Sequence, residues 1–247
     1  DAEPLELVVI ELGTGARASL ELPGAHLAAV SARGELALTR GHRFVDHQSA
    51  RGELVVRSLG GGVPRRLADD VQEAEFLPES LAPRSRPPGT DAGPAARDGA
   101  LAVVRPAGGG FRIDLPLDTP LVRERGWITH LRAAPDGARL AYLRHPGTDD
   151  DAGAVVVVDL ATRAARTLTD GWASIAGLAW DPDGAHLWFT ASRDDLASKL
   201  HRVTLAGRVT QIPSPTATRL RLHDVARDRR LLINSDVWRL RAMVGDA

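Results

Sequence analysis

Two stretches of this chain read almost alike: Ala134-Pro135-Asp136-Gly137-Ala138-Arg139-Leu140-Ala141-Tyr142-Leu143 and Asp181-Pro182-Asp183-Gly184-Ala185-His186-Leu187-Trp188-Phe189-Thr190. Each couples a Pro-Asp-Gly triplet to an apolar run. Proline presets φ for the first turn position, aspartate accepts bonds from nearby backbone N–H groups, and glycine takes the left-handed conformation. The triplet therefore closes a tight antiparallel hairpin. The upstream flanks match as well: Gly126-Trp127-Ile128-Thr129 precedes the first copy and Gly171-Trp172-Ala173-Ser174 the second, with the tryptophans 45 residues apart.

Three weaker copies follow the same pattern, around Gly34, Gly99 and Arg229. Taking Gly34, Gly99, Gly137, Gly184 and Arg229 as equivalent gives intervals of 65, 38, 47 and 45 residues. The first interval carries an insertion. Removing the 19 residues from Glu79 to Arg97 brings it to 46. Each unit holds four strand-like segments; in the last full unit these are Ala176–Trp180, Leu187–Thr190, Leu200–Leu205 and Val209–Ile212. Four strands in about 45 residues predict a β-propeller blade, which cannot cover both of its faces alone and must stack on its neighbours. The fold expected is all-β, a propeller of four-stranded antiparallel blades with about five blade-equivalents, and residues 1–247 form a single domain. Leu5–Leu12 and Ala16–Leu22 read as third and fourth strands, Leu220–Val225 and Arg230–Ile233 as first and second. Paired, these halves close a five-bladed ring; unpaired, they are the edges of a section of a larger one.

With 247 residues and 43% hydrophobic content the chain can bury a substantial core. Thirty-one basic and 32 acidic side chains leave a formal charge of −1, without the basic excess that phosphate-backbone binding uses. No nucleic-acid partner is expected. The absence of cysteine removes disulfides, thiolate nucleophiles and thiolate metal sites. No apolar run approaches the ~20 residues that span a bilayer. The opening Asp1-Ala2-Glu3-Pro4 has no initiator Met, basic n-region or apolar h-region, so the chain is expected to be processed or cut from something larger.

The Trp-to-Pro-Asp-Gly spacing resembles the TolB-like, WD-repeat-like propeller family. Asp69-Asp70-Val71-Gln72, Gly126-Trp127-Ile128-Thr129-His130, Thr169-Asp170-Gly171-Trp172-Ala173-Ser174, Trp188-Phe189-Thr190-Ala191-Ser192-Arg193 and Leu222-His223-Asp224-Val225 together resemble the propeller region C-terminal to the catalytic domain of certain bacterial serine/threonine protein kinases. The resemblance covers nearly the whole chain and departs from the pattern at Glu79–Arg97 and Asp228-Arg229. It implies a sensory or scaffolding ring attached to an enzyme, cytoplasmic, binding a protein or a small ligand through loops on one face. A TolB-like periplasmic interaction propeller is the second reading. The third is a metal-dependent hydrolase or lactonase using the axial opening.

The chain itself carries no Gly-x-Gly-x-x-Gly loop, His-Arg-Asp catalytic loop, Asp-Phe-Gly triplet or Gly-x-Ser-x-Gly elbow, so no catalytic activity and no cofactor are expected. Trp127 and Trp172 precede the first strands of their blades, either packed between blades or lining a recognition surface. Asp149-Asp150-Asp151 and Asp194-Asp195 occupy equivalent loops, where carboxylates suit a hard cation or merely solvate the loop. His42 and His47 share a polar segment with Asp46, read as a loop between second and third strands. The candidate ligand- or partner-binding residues are thus Trp127, His130, Trp172, Asp150, Asp194 and His42. No metal ligands are assigned, since the hairpin accounts for every residue of Asp181-Pro182-Asp183-Gly184. Glu79–Arg97, with four prolines and two glycines, is expected to be a flexible surface insertion.

Overall fold

Both Pro-Asp-Gly triplets close the hairpins that their residues dictate. In the first, Ala134 N–H donates to the Arg139 carbonyl (2.8 Å), Gly137 stands at φ +66°, and Asp136 accepts from Ala138 N–H (2.9 Å). The second repeats the pattern with Asp181 N–H on the His186 carbonyl (2.9 Å), Gly184 at φ +68°, and Asp183 accepting from Ala185 N–H (2.8 Å). At the last copy Arg229 takes the glycine position at φ +65° and the turn still closes, Arg229 N–H donating to the Ala226 carbonyl at 2.8 Å.

The computed structural model describes residues 6–11, 13–44, 50–78, 100–148, 150–194, 197–213 and 219–236. Among them there is no helix, and the chain forms a β-propeller of successive antiparallel sheets. A ribbon of β1 (Val8–Ile10) and β2 (Arg17–Ser19) comes first. The first blade holds β3 (His26–Val30), β4 (Glu35–Phe44), β5 (Ala50–Ser58) and β6 (Gly61–Val71). The second holds β7 (Glu73–Phe76), β8 (Leu101–Ala107), β9 (Gly110–Asp114) and β10 (Pro120–Glu124). The third holds β11 (Trp127–Ala133), β12 (Arg139–His145), β13 (Gly153–Asp159) and β14 (Ala165–Trp172). The fourth holds β15 (Ser174–Trp180), β16 (His186–Ser192), β17 (Lys199–Thr204) and β18 (Val209–Gln211). A second ribbon, β19 (Arg219–Val225) with β20 (Leu231–Asp236), ends the described chain. First strands meet in succession, β3 on β7, β7 on β11, β11 on β15 and β15 on β19, and so line the axis.

Alternation along each strand explains why one blade requires the next. In β12, Leu140 and Tyr142 pack toward the second blade against Val104 and Ile113, beside Ile128 of their own blade, while Ala141 and Leu143 pack toward the fourth against Leu178, Leu187 and Phe189. The strand β13 divides likewise, Val156 and Val158 one way, Val155 and Val157 the other. Strand side chains alternate faces, and burying each Val or Leu contributes about 1.5–3 kcal/mol, so a blade stripped of a neighbour leaves one whole row in water.

The terminal ribbons dock on the blades beside them. Leu7, Leu20 and Leu22 cover Leu36, Leu38 and Val55, and Arg57 Nη1 donates to the Leu20 carbonyl at 3.0 Å. At the other end Leu222 and Val225 pack on Ala179 and Leu200. Among the described residues no ladder joins the two ribbons, and Val8, Ile10 and Leu232 stay 44%, 46% and 63% exposed. The described strands of the first ribbon are shorter than the sequence suggests, whereas β19 begins one residue earlier and β20 runs on to Asp236. His42 lies within β4 and not in a loop, because β4 and β5 pair as far as Phe44 and Ala50; His47 and Asp46 fall outside the described residues.

The insertion Glu79–Arg97 also lies outside the described residues, but its flanks are paired: Phe76 faces Leu101, and Leu77 N–H donates to the Ala100 carbonyl (2.8 Å). Deleting Glu79–Arg97 joins Pro78 to Asp98-Gly99 and rebuilds the Pro-Asp-Gly turn of the third and fourth blades. Since a shorter loop costs less to close, the deletion is expected to leave the melting temperature unchanged or raised by a few degrees in a thermal denaturation scan. Loss of cooperative unfolding would refute the insertion reading.

Candidate functional site

First strands of propeller blades bulge toward the axis, and the bulges here differ in one residue that matters. In β15 the register slips between Ala176 and Leu178, with Gly177 at φ +68° as the extra residue. In β11 it slips between Thr129 and Arg132, and the residue equivalent to Gly177 is His130, held at φ +55°. A side chain in this conformation costs roughly 1–2 kcal/mol, so something holds it there.

Glu73 of β7 does so. Its carboxylate accepts from His130 N–H (3.0 Å) and from Leu131 N–H (2.8 Å). Two further side chains of the same segment reach the same strand. Glu75 accepts from Ala133 N–H (3.2 Å), and Gln72 both donates to the Ile128 carbonyl (2.8 Å) and accepts from Trp127 Nε1–H (2.7 Å). Burial pushes the Glu73 and Glu75 carboxyls above the ordinary range, and the backbone N–H groups oppose that rise.

From His130 a hydrogen-bonded chain runs to the outer loop, and its polarity can be worked out. His145 is 4% exposed, and its Nδ1 lies 2.9 Å from the Ala152 carbonyl, which can only accept; Nδ1 therefore carries the proton. His145 Nε2 is then the acceptor for the Thr129 hydroxyl (2.8 Å), and that hydroxyl oxygen accepts from His130 Nδ1–H (2.9 Å). Both imidazoles are neutral in this arrangement. Burial lowers both rings, His130 well below its usual value with the Arg132 charge adding to the effect; the Ala152 carbonyl, Asp151 and Asp150 partly offset the lowering at His145. What remains is His130 Nε2, an acceptor with no hydrogen bond among the described residues.

That ring lines an axial cleft of about 260 Å³, together with His26, Thr39, Gln72, Glu73 and Arg132. The Arg132 guanidinium is fixed by one bond to the Leu131 carbonyl (2.9 Å). His26 lies against His42 with ring centroids 3.7 Å apart and the planes tilted by 32°, and His42 shares a hydrogen bond with Thr39 (2.9 Å). Burial, and then the neighbouring His26, lower the His42 ring. Arg221 and His223 of β19 also act to lower the His130 ring. Chemically, the cleft offers a fixed acceptor, a cation and the His26 imidazole, backed by His42.

Of the six candidates, His130 lies in this cleft and His42 directly behind it. Trp127, 7% exposed, packs between the second and third blades at the start of β11 with its N–H on Gln72. Trp172, 4% exposed, ends β14 against Phe189 and His201, with Arg193 4.1 Å above its ring and its N–H on Thr169 (3.2 Å). One edge of it reaches a second cleft of about 360 Å³ shared with Asp194, Lys199 and His201. Asp150 and Asp194 are exposed in the β12–β13 and β16–β17 loops, which correspond in the two blades. Asp150 caps its loop by accepting from the N–H of Ala152 (2.8 Å), the residue whose carbonyl meets His145. Sequence reading passed over His26, Glu73, Thr129, Arg132 and His145. Aligning His130 with Gly177 in the repeat would have marked the first strand of the third blade, since a histidine where the sibling blade has glycine is an expensive exchange.

No family model matches the chain, and no curated protein matches it. Among solved structures it is similar to a chain from Agrobacterium tumefaciens assigned as TolB, at 19% identity and TM-score 0.63, over 89% of this chain and 73% of that one. It is similar also to a chain of a nidogen/laminin complex, at 12% identity and TM-score 0.57, over 93% of this chain and 81% of the other. At these identities the likeness is one of fold.

Proposed function

We propose that the chain is a non-catalytic recognition ring that binds a protein segment or small ligand in the axial cleft, with His130 Nε2 accepting a hydrogen bond and Arg132 attracting an anionic group. The observation that carries this reading is the retention of His130 in a left-handed conformation where the next blade uses Gly177. Strain kept at a cleft is a mark of function. The carboxylates beside His130 are occupied by backbone N–H groups, which favours binding over acid–base chemistry.

The finer reading is a sensor or scaffold of a bacterial signalling protein, the cytoplasmic regulatory part of a serine/threonine kinase. A TolB-like periplasmic interaction propeller fits the fold likeness equally. The coding sequence upstream of Asp1 separates them: a kinase domain supports the first, a signal peptide the second.

His130→Gly tests the site. Relief of about 1 kcal/mol of backbone strain offsets the lost Thr129 hydrogen bond, worth about 1 kcal/mol, so stability should change by less than about 1 kcal/mol. In an NMR titration with short acidic, basic and neutral peptides, the acidic ones are expected to shift the Ala74 and Leu131 amides of the wild type and not those of the variant. Peptide binding that survives His130→Gly, or maps only to the outer loops, contradicts the proposal.

A further inference from the structure

The Pro-Asp-Gly hairpin of the fourth blade differs from its sibling in charge as well as in sequence. In the third blade the buried residue before proline is Ala134, and the turn carboxylate of Asp136 is neutralised by Arg139 Nη2 at 2.5 Å. In the fourth blade Asp181 replaces Ala134, and His186 replaces Arg139. Two carboxylates thus face one imidazole. Asp181 is 2% exposed; its Oδ2 accepts from Trp188 Nε1–H at 3.3 Å, while its buried Oδ1 has no hydrogen bond. His186 Nδ1 is likewise buried without one, 3.9 Å from the Asp181 carboxylate.

Ala134 shows that the fold needs no acid at this position, and an unsatisfied buried carboxylate oxygen costs several kcal/mol unless a cation meets it. The turn explains only Asp183 Oδ1, which accepts from Ala185 N–H; its Oδ2 is not needed by the hairpin. One ligand atom from each of Asp181, Asp183 and His186 lies within 4.8 Å of the other two. Among the described residues, the cation paired with both acids is Arg229 of the following hairpin, 66% exposed in its side chain, at 3.9 Å from Asp181 Oδ1 and 3.3 Å from Asp183 Oδ2.

We propose that Asp181, Asp183 and His186 form a binding site for a zinc-class divalent cation, with Arg229 as a displaceable lid that occupies the charge when the metal is absent. Two carboxylates with one imidazole suit zinc or manganese better than calcium, which prefers an all-oxygen set. The site lies at the β15–β16 turn, apart from the axial cleft, and its existence is independent of the proposed function. It also revises the reading in which the hairpin alone explains every residue of the turn.

The repeat supplies the controls. Calorimetric titration of tag-free full chain with zinc chloride is expected to give one micromolar site in the wild type. Removing the competing cation in Arg229→Ala should tighten it at least tenfold. The double variant Asp181→Ala/His186→Arg, which restores the sequence of the third blade, should melt cooperatively and bind at least a hundredfold more weakly. Absence of zinc binding to the wild type, retention in the double variant, weaker binding in Arg229→Ala, or preference for calcium chloride over zinc would each overturn the proposal. If instead Arg229 serves only as an inter-blade ion pair, Arg229→Ala lowers the melting temperature and zinc does not restore it.

Discussion

Gly177→Val is expected to be severely damaging, lowering stability by about 3 kcal/mol or more and detaching the β19–β20 ribbon before the blades melt. Two effects add. Any L residue at φ +68° is strained by roughly 1–2 kcal/mol, and a Cβ at Gly177 would stand 2.7 Å from Leu222 N and overlap the Leu222 carbonyl oxygen. That contact is backbone on backbone, with no flexible side chain to yield, so relief requires moving β19 as a whole. Gly24 separates the two causes, having the same φ of +68° with nothing within 4 Å of its would-be Cβ. Gly24→Val should cost only the conformational part. Chemical denaturation of both variants reads the difference, and equal losses would show that the close approach of β15 and β19 contributes nothing.

The repeat was legible because its physics is local. Pro-Asp-Gly fixes a turn within three residues, and even Arg229 adopts the glycine conformation there because the surrounding hairpin bonds hold it. Strand existence followed from the apolar runs, and the loops bearing Asp150 and Asp194 emerge in corresponding places because the period is constant. The site was less legible because it depends on contacts between blades. Glu73 and His130 lie 57 residues apart and meet only when β7 packs on β11. Nothing near Glu73 in sequence says that its carboxylate will hold a histidine in a strained conformation. His42 reads as part of a loop because it shares a polar segment with Asp46 and His47; the long β4–β5 pairing, out to Phe44 and Ala50, carries the strand through it.

Glu73→Ala should produce the second large effect. It leaves the His130 and Leu131 N–H groups without an acceptor at a strained position of the backbone, and each unsatisfied group costs about 1–3 kcal/mol. A loss of about 2–4 kcal/mol is expected in denaturant titration, together with faster amide exchange at His130 and Leu131. Glu73→Gln keeps an acceptor and should cost less, and its comparison with the wild type depends on pH with a definite sign. Burial raises the Glu73 carboxyl above its usual 4.5, so the folded protein binds the proton before the unfolded chain does. Wild type should therefore gain stability relative to Glu73→Gln as pH falls through the raised value toward 4.5 and lose that advantage as pH rises through it. A pH-independent difference between the two would contradict burial as the main influence on Glu73.

The metal and ligand proposals draw on the same comparison between siblings. At two positions the third and fourth blades exchange a residue that the fold tolerates for one that costs free energy: His130 against Gly177 at the axis, and Asp181 against Ala134 at the hairpin. In both cases the costly residue carries a polar atom without a hydrogen bond among the described residues, His130 Nε2 at the cleft and the buried Asp181 Oδ1 at the hairpin. Structural need accounts for the cheaper member of each pair and not for the other.

The account rests most heavily on His130 being a rigid, neutral imidazole with its proton on Nδ1 and its Nε2 open to the axial cleft. Nitrogen-15 NMR of the imidazole through a pH titration measures this directly. The predicted result is a neutral ring with Nδ1 protonated and no change as pH passes 6.5, the ordinary histidine value, because burial and Arg132 hold the ring well below it. A ring that titrates near 6.5, or that carries its proton on Nε2, would contradict the hydrogen-bonded chain and the binding site built upon it.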